Sequence, residues 1–124
     1  MKVLIVDDDH LLADRVVRDL YEVGIEAEAF YSGEECIVSA RRDRPSLILL
    51  DISMPGISGF ETLRRLRYFP TLARTRVVAI SSLADAASMF TIGSAGFDAC
   101  VAKPIVMSEV LNQVYHQRGA DSRP

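Results

Sequence analysis

At 124 residues, with 49% apolar and 25% charged side chains, the chain has the size and balance of one globular domain with a single core. Fourteen basic against seventeen acidic side chains leave a formal charge of -3, which argues against the large electropositive face needed to wrap nucleic acid or anionic lipid. No apolar run approaches the roughly 20 residues of a membrane span, and Met1 leads almost directly into an apolar strand, so a cytoplasmic location without a signal peptide is expected. Cys36 and Cys100 lack metal-ligand spacing and read as reduced thiols.

Val3-Leu4-Ile5-Val6 reads as the first buried strand, and Asp7-Asp8-Asp9 follows at once. Leu11, Leu12, Val16, Leu20 and Val23 recur at helical spacing, with Gly24 as the stop. Glu26 to Phe30 alternates with period two, as an edge strand with one wet face would. Ser32 with Glu35 forms a capping box that opens a second helix carrying Cys36, Ile37 and Ala40. Arg41 and Arg42 sit in its last turn, where they suit the helix dipole.

After Pro45, Leu47-Ile48-Leu49-Leu50 is a strand buried on both faces, and it ends in Asp51. Met54-Pro55-Gly56 stops regular structure. A third helix is expected from Gly59 to about Phe69, with Phe60, Leu63 and Leu66 inward and Arg64, Arg65 and Arg67 as a solvated, dipole-compensating end. Val77 to Ile80 is the fourth strand and ends in Ser81-Ser82. A weaker helix is expected from about Asp85 to Ala95. Cys100-Val101-Ala102 is a short fifth strand ending in Lys103-Pro104, and a last helix runs from about Met107 to Gln117 with Val110, Leu111 and Val114 inward. Residues 1–118 form the expected domain, and 119–124 a polar tail or the start of a linker.

Five strands alternating with five helices imply an α/β fold, a doubly wound parallel sheet. The second and fifth strands carry the weakest two-sided burial and belong at the edges, which gives strand order 2-1-3-4-5. Ligands of such sheets bind outside the carboxyl ends of the strands, at the switch point between strands one and three. Asp7, Asp8, Asp9, Asp51, Ser81 and Lys103 all directly follow apolar strands and so converge on that edge. Carboxylates crowded in a partly dry cleft repel one another and call for a cation. Hard oxygen ligands suit Mg²⁺, Lys103 adds a positive charge, and Ser81 adds a hydroxyl donor. Together these make a site for a tetrahedral anion beside an aspartate, and carboxylates can act as nucleophiles that form aspartyl-phosphates. No Gly-rich loop follows the first strand, so a nucleotide or flavin site is not indicated.

These residues in this order resemble the receiver domain of two-component response regulators: Asp7-Asp8-Asp9 after Lys2-Val3-Leu4-Ile5-Val6, Leu50-Asp51 with Met54-Pro55-Gly56 and Gly59, then Ser81, then Lys103-Pro104. The resemblance covers about residues 2–118 and implies the flavodoxin-like arrangement. It implies a phosphoryl group taken with Mg²⁺ from a sensor histidine kinase or a histidine phosphotransfer protein onto Asp51. It also implies Asp8, Asp51 and the backbone carbonyl of Ser53 as metal ligands, Asp7 as a ligand acting through water, and Ser81 and Lys103 as phosphoryl contacts. The Lys103-Pro104 bond is implied to be cis. Such a domain switches its own phosphorylation state rather than turning over substrate. It passes that state to an output domain or protein, contacts no nucleic acid or membrane itself, and can pair as a homodimer.

One position departs from the pattern. Family members usually carry Tyr or Phe three residues before the Lys, and here Cys100 stands there. This atypical switch position leaves the phosphoryl chemistry untouched but removes the ring that usually links Ser81 to the surface of helix four, strand five and helix five. Phe90 and Phe97 are the nearby candidates to replace it. A constitutive, phosphorylation-independent protein-binding module is therefore a second reading, and a small Mg²⁺-dependent phosphohydrolase a third. Asp9 reads as a helix cap, and His10 and His116 as surface residues.

Overall fold

In the computed structural model, which describes residues 1–82 and 86–121, the chain alternates strand and helix throughout. The order is β1 (Lys2–Val6), α1 (His10–Glu22), β2 (Glu26–Phe30), α2 (Gly33–Asp43), β3 (Leu47–Asp51), α3 (Gly59–Tyr68), a 3₁₀ turn (Pro70–Leu72), β4 (Arg76–Ser81), α4 (Ala86–Ser94), β5 (Ala99–Ala102) and α5 (Met107–Asp121). The strands pair in parallel in the order β2-β1-β3-β4-β5, with Val3 opposite Leu47 and Leu47 opposite Arg76. The fold class and strand order expected from the sequence are those found.

Side chains of a strand point alternately to the two faces, and here both faces are covered. Val3, Ile5, Leu47, Leu49, Val78 and Ile80 pack with Ala13, Val16 and Leu20 of α1 and Val110 and Val114 of α5. Leu4, Val6, Ile48, Leu50, Val77 and Ala79 pack with Cys36 and Ala40 of α2, Leu63 and Leu66 of α3, and Ile92 and Phe97. Leu47 to Leu50 are all fully buried, which is why four consecutive apolar residues stand there. Burying each such side chain stabilises the fold by about 1.5–3 kcal/mol. Edge strand β2 has no fully buried residue.

α1 and α2 start where the sequence places caps: Asp9 accepts from Leu12 N–H at 3.2 Å and Ser32 from Glu35 N–H at 3.2 Å. Ser58, not among the expected caps, caps α3 in the same way, accepting from Glu61 N–H at 3.2 Å. α1 stops because Gly24 takes φ +80°, and Gly24 and Ile25 N–H then donate back to the Tyr21 and Leu20 carbonyls at 3.0 and 2.9 Å.

Two boundaries differ from expectation. α3 ends at Tyr68, since Phe69 precedes a proline and takes an extended backbone. α5 continues through Gly119 to Asp121, because a glycine weakens a helix by about 1 kcal/mol but does not break it. The expected start of the fourth helix at Asp85 and the last residues of the expected tail, 122–124, lie outside the described residues. Arg67 also departs from its expected solvated role. Its guanidinium donates to the carbonyls of Leu72, Ala73 and Thr75 and pairs with Asp98 at 3.2 Å, while Asp98 accepts from Val77 N–H at 2.8 Å. It thus ties the loop before β4 to the start of β5. Among the described residues, no helix is long and apolar enough to cross a membrane.

Candidate functional site

The carboxyl ends of β1, β3, β4 and β5 surround a cleft of about 340 Å³ lined by Asp7, Asp8, Asp9, Asp51, Ile52, Ser53, Ser81, Ser82 and Lys103. Every site residue named from the sequence is in it except Cys100. Asp7 is fully buried just past β1, where its N–H donates to the Phe30 carbonyl of β2 at 3.1 Å. Its Oδ1 accepts from Asp9 N–H at 2.9 Å. Asp51, 3% exposed, closes β3, and its Oδ1 accepts from Ser53 N–H at 3.1 Å. Both acids thus make the same local turn, a carboxylate accepting from the backbone two residues on, which fixes each side chain at its strand end.

The loop after Asp51 is held close by α3. Gly59 N–H donates to the Ile52 carbonyl at 3.1 Å, and a Cβ on Gly59 would collide with the Asp51 carbonyl and the Ile52 Cα. Only glycine permits that approach. Ser81 ends β4 and is buried, and its carbonyl accepts from Lys103 N–H at 2.9 Å, which sets Lys103 across from the acids. The Lys103-Pro104 peptide is cis.

The Lys103 ammonium lies 3.3 Å from Asp51 Oδ2, to which it donates, and 3.0 Å from Asp7 Oδ2. The second approach is close enough for an ion pair but is not aligned as a hydrogen bond. Asp7 Oδ2 is left buried with no hydrogen-bond donor among the described residues. Burial pushes the Asp51 carboxyl up from 3.8 to about 6, and the Asp7 charge adds to it, against the opposing Ser53 N–H and Lys103 ammonium. Burial pulls the Lys103 ammonium down, but the two carboxylates outweigh it and the net shift is upward.

One oxygen from each of Asp7, Asp8 and Asp51 lies within 4.8 Å of the others. Three carboxylates face one ammonium, and one buried oxygen lacks a donor. A hard divalent cation fits both deficits, and an all-oxygen donor set suits Mg²⁺.

Cys100 sits elsewhere. It pairs with Ala79 on β5, is half-buried against the core on the α2–α3–α4 side, and lines a separate cleft of about 340 Å³ with Met89, Glu109, Asn112 and Gln113. Phe97 is buried edge-on to Phe60, with centroids 5.7 Å apart, and Phe90 is 76% exposed.

Two residues beyond the cleft lining, Tyr31 and Asp14, are not anticipated from the sequence. Tyr31, just past β2, stacks on His10 and donates its phenol to Asp14. The one available signal is position: Tyr31 follows a strand and so stands on the same edge as the acids.

A family model described as the response regulator receiver domain matches residues 3–115. The polar-differentiation response regulator DivK of Brucella anthropi is 33% identical over 113 residues, covering 90% of this chain and 91% of that protein. The gliding motility regulatory protein of Myxococcus xanthus is 34% identical over 113 residues, covering 91% of this chain and 14% of that protein. The chain also spans only 42% to 50% of several other curated relatives. Among solved structures, the receiver domain of the Francisella response regulator 1452 superposes with a TM-score of 0.89 at 25% identity, covering 98% of each chain.

Proposed function

The chain belongs to the response regulator receiver domain family, and from that premise we propose that Asp51 accepts a phosphoryl group, with Mg²⁺ as cofactor, from a phosphohistidine on a sensor histidine kinase or a histidine phosphotransfer protein. The observation that carries this reading is the buried Asp51 carboxylate, aimed by Ser53 N–H and Lys103 beside two further acids at the mouth of the sheet. Asp7, Asp8, Asp51 and the backbone carbonyl of Ser53 would hold the ion. When bound, it neutralises charge on the transferring phosphoryl oxygens and on the clustered acids.

The chain's own residues do the rest. Ser53 N–H binds one Asp51 oxygen and so limits rotation of the carboxylate. The ionised Asp51 forms the new P–O bond as the P–N bond to the donor imidazole breaks, and the electron pair leaves on that nitrogen. Lys103 supplies the fixed positive charge beside the acceptor, and the Ser81 hydroxyl contacts the phosphoryl group. Hydrolysis by water returns Asp51 to its resting form. The domain is a self-phosphorylating and slowly self-dephosphorylating switch. It acts in the cytoplasm on an output domain or a separate protein, and homodimers are one form such output can take.

A second reading, a phosphorylation-independent binding module, is favoured by one observation: a half-buried Cys100 replaces the usual ring. Intact-mass analysis after incubation with Mg²⁺ and acetyl phosphate tests the first reading. Wild type gains one phosphoryl group and Asp51→Asn gains none; equal labelling of the variant removes Asp51 from the role. Amide spectra with Mg²⁺ and beryllofluoride separate the two readings, because changes confined to the cleft favour the module.

A further inference from the structure

We infer that Tyr31 is a positioning residue for the loop between β1 and α1, and through it for the carboxylate of Asp8; this rests on the Mg²⁺ reading above. Asp8 is the exposed member of the acidic set. No hydrogen bond or ion pair among the described residues holds its side chain, so its place depends on the backbone that carries it. That backbone is fixed on one side by Asp7, which bonds Asp9 N–H and, through its own N–H, the Phe30 carbonyl. On the other side lies the start of α1, and Tyr31 grips it twice, at His10 and one turn on at Asp14.

The His10 ring stacks on the Tyr31 ring with centroids 3.8 Å apart and planes 18° from parallel. The Tyr31 hydroxyl donates to Asp14 Oδ1 at 2.6 Å. His10 and Asp14 are four residues apart and so lie on one face of α1. Tyr31 in turn is set by its neighbours in the chain. Phe30 is paired to Val6 in the sheet, and Tyr31 N–H donates to Glu35 Oε2 at 3.5 Å at the start of α2. One aromatic side chain therefore couples the sheet edge and α2 to the turn that begins two residues after Asp8. A loop held this way presents Asp8 near the other two carboxylates before an ion arrives, so less ordering is left to oppose binding.

Calorimetric titration of the whole chain with MgCl₂, alongside metal-free melting, tests the inference. Tyr31→Leu removes the stack and the phenol bond and weakens Mg²⁺ affinity by about fivefold, in keeping with an exposed aromatic pair. Tyr31→Phe keeps the ring and weakens it by about twofold. His10→Ala, which leaves β2 and the phenol bond untouched, weakens it by about two- to threefold, and His10→Phe restores wild-type affinity. Wild-type affinity in both Tyr31→Leu and His10→Ala overturns the inference, as does a lower metal-free midpoint with unchanged affinity, which marks a purely structural role. If wild type itself shows no saturable Mg²⁺ binding, the metal reading fails first and the inference falls with it.

Discussion

The two edges of the sheet use the same residue types to opposite ends. At the amino-terminal edge, Lys2 pairs with Glu28 at 2.8 Å and Asp43 at 2.9 Å, and Arg42 adds a further contact to Asp43 at 2.9 Å. The Arg42 and Lys2 partners hold the Asp43 carboxyl well below the usual carboxylate range. At the carboxyl-terminal edge, Lys103 is the one cation among the described residues that pairs with Asp7 and Asp51, both buried, and Asp51 is pushed up to about 6. Charges at the first edge are satisfied within the fold. Those at the second are left short of a cation, which is what makes that end the candidate site. Neutralising an acid should therefore have effects of opposite sign at the two edges, whereas removing the cation at the second edge should destabilise.

The largest effect is expected from Lys103→Met. It leaves two buried carboxylates without their cation, and denaturant unfolding at pH 7 should give a loss of about 3 kcal/mol. A loss much below 1 kcal/mol would mean that Lys103 does not balance the acids. Asp51→Asn should do the reverse and raise metal-free stability at pH 7 by about 2 kcal/mol. Because the folded-state carboxyl titrates above its unfolded value, the unfolded chain ionises first as pH rises. The penalty of Asp51 develops between pH 3.8 and about 6, is complete above that window, and is absent below it. The stabilisation by Asp51→Asn should fade over the same window on acidification. Smallest is Asp43→Asn, which should lower the melting midpoint slightly at pH 7. Here the folded pKa is depressed, so the contribution of Asp43 is present above the unfolded value and disappears as pH falls through the folded one. A midpoint raised by Asp43→Asn would erase the contrast between the edges.

Much of this arrangement can be read from sequence because it rests on short-range patterns. The buried run Leu47 to Leu50 identifies a two-faced strand, and the alternation in β2 an edge. The acids, Ser81 and Lys103 each directly follow an apolar strand, so parallel topology alone gathers them. What is hidden depends on side-chain reach across the fold. Tyr31 meets Asp14 over 17 positions of chain, and Arg67 meets Asp98 over 31. No local period encodes either pairing. The tight approach of Gly59 to the Asp51 carbonyl is hidden for the same reason, although its consequence is large for the loop that carries Ser53.

Cys100 shows the limit from another side. Its substitution for an aromatic is visible in the sequence, and its place on β5, facing a cleft beside α5, is visible only in the fold. The phosphoryl transfer proposed for Asp51 needs nothing from it. Met89 and Phe90, nearby in the chain on α4, are exposed.

The most direct test of the contrast between the edges is the titration of the Asp51 side-chain carboxyl by carbon-detected NMR, without and with Mg²⁺. The account predicts a midpoint near 6 in the metal-free protein and a downward shift when the ion is added. A midpoint near the ordinary 3.8 that Mg²⁺ does not move would contradict it.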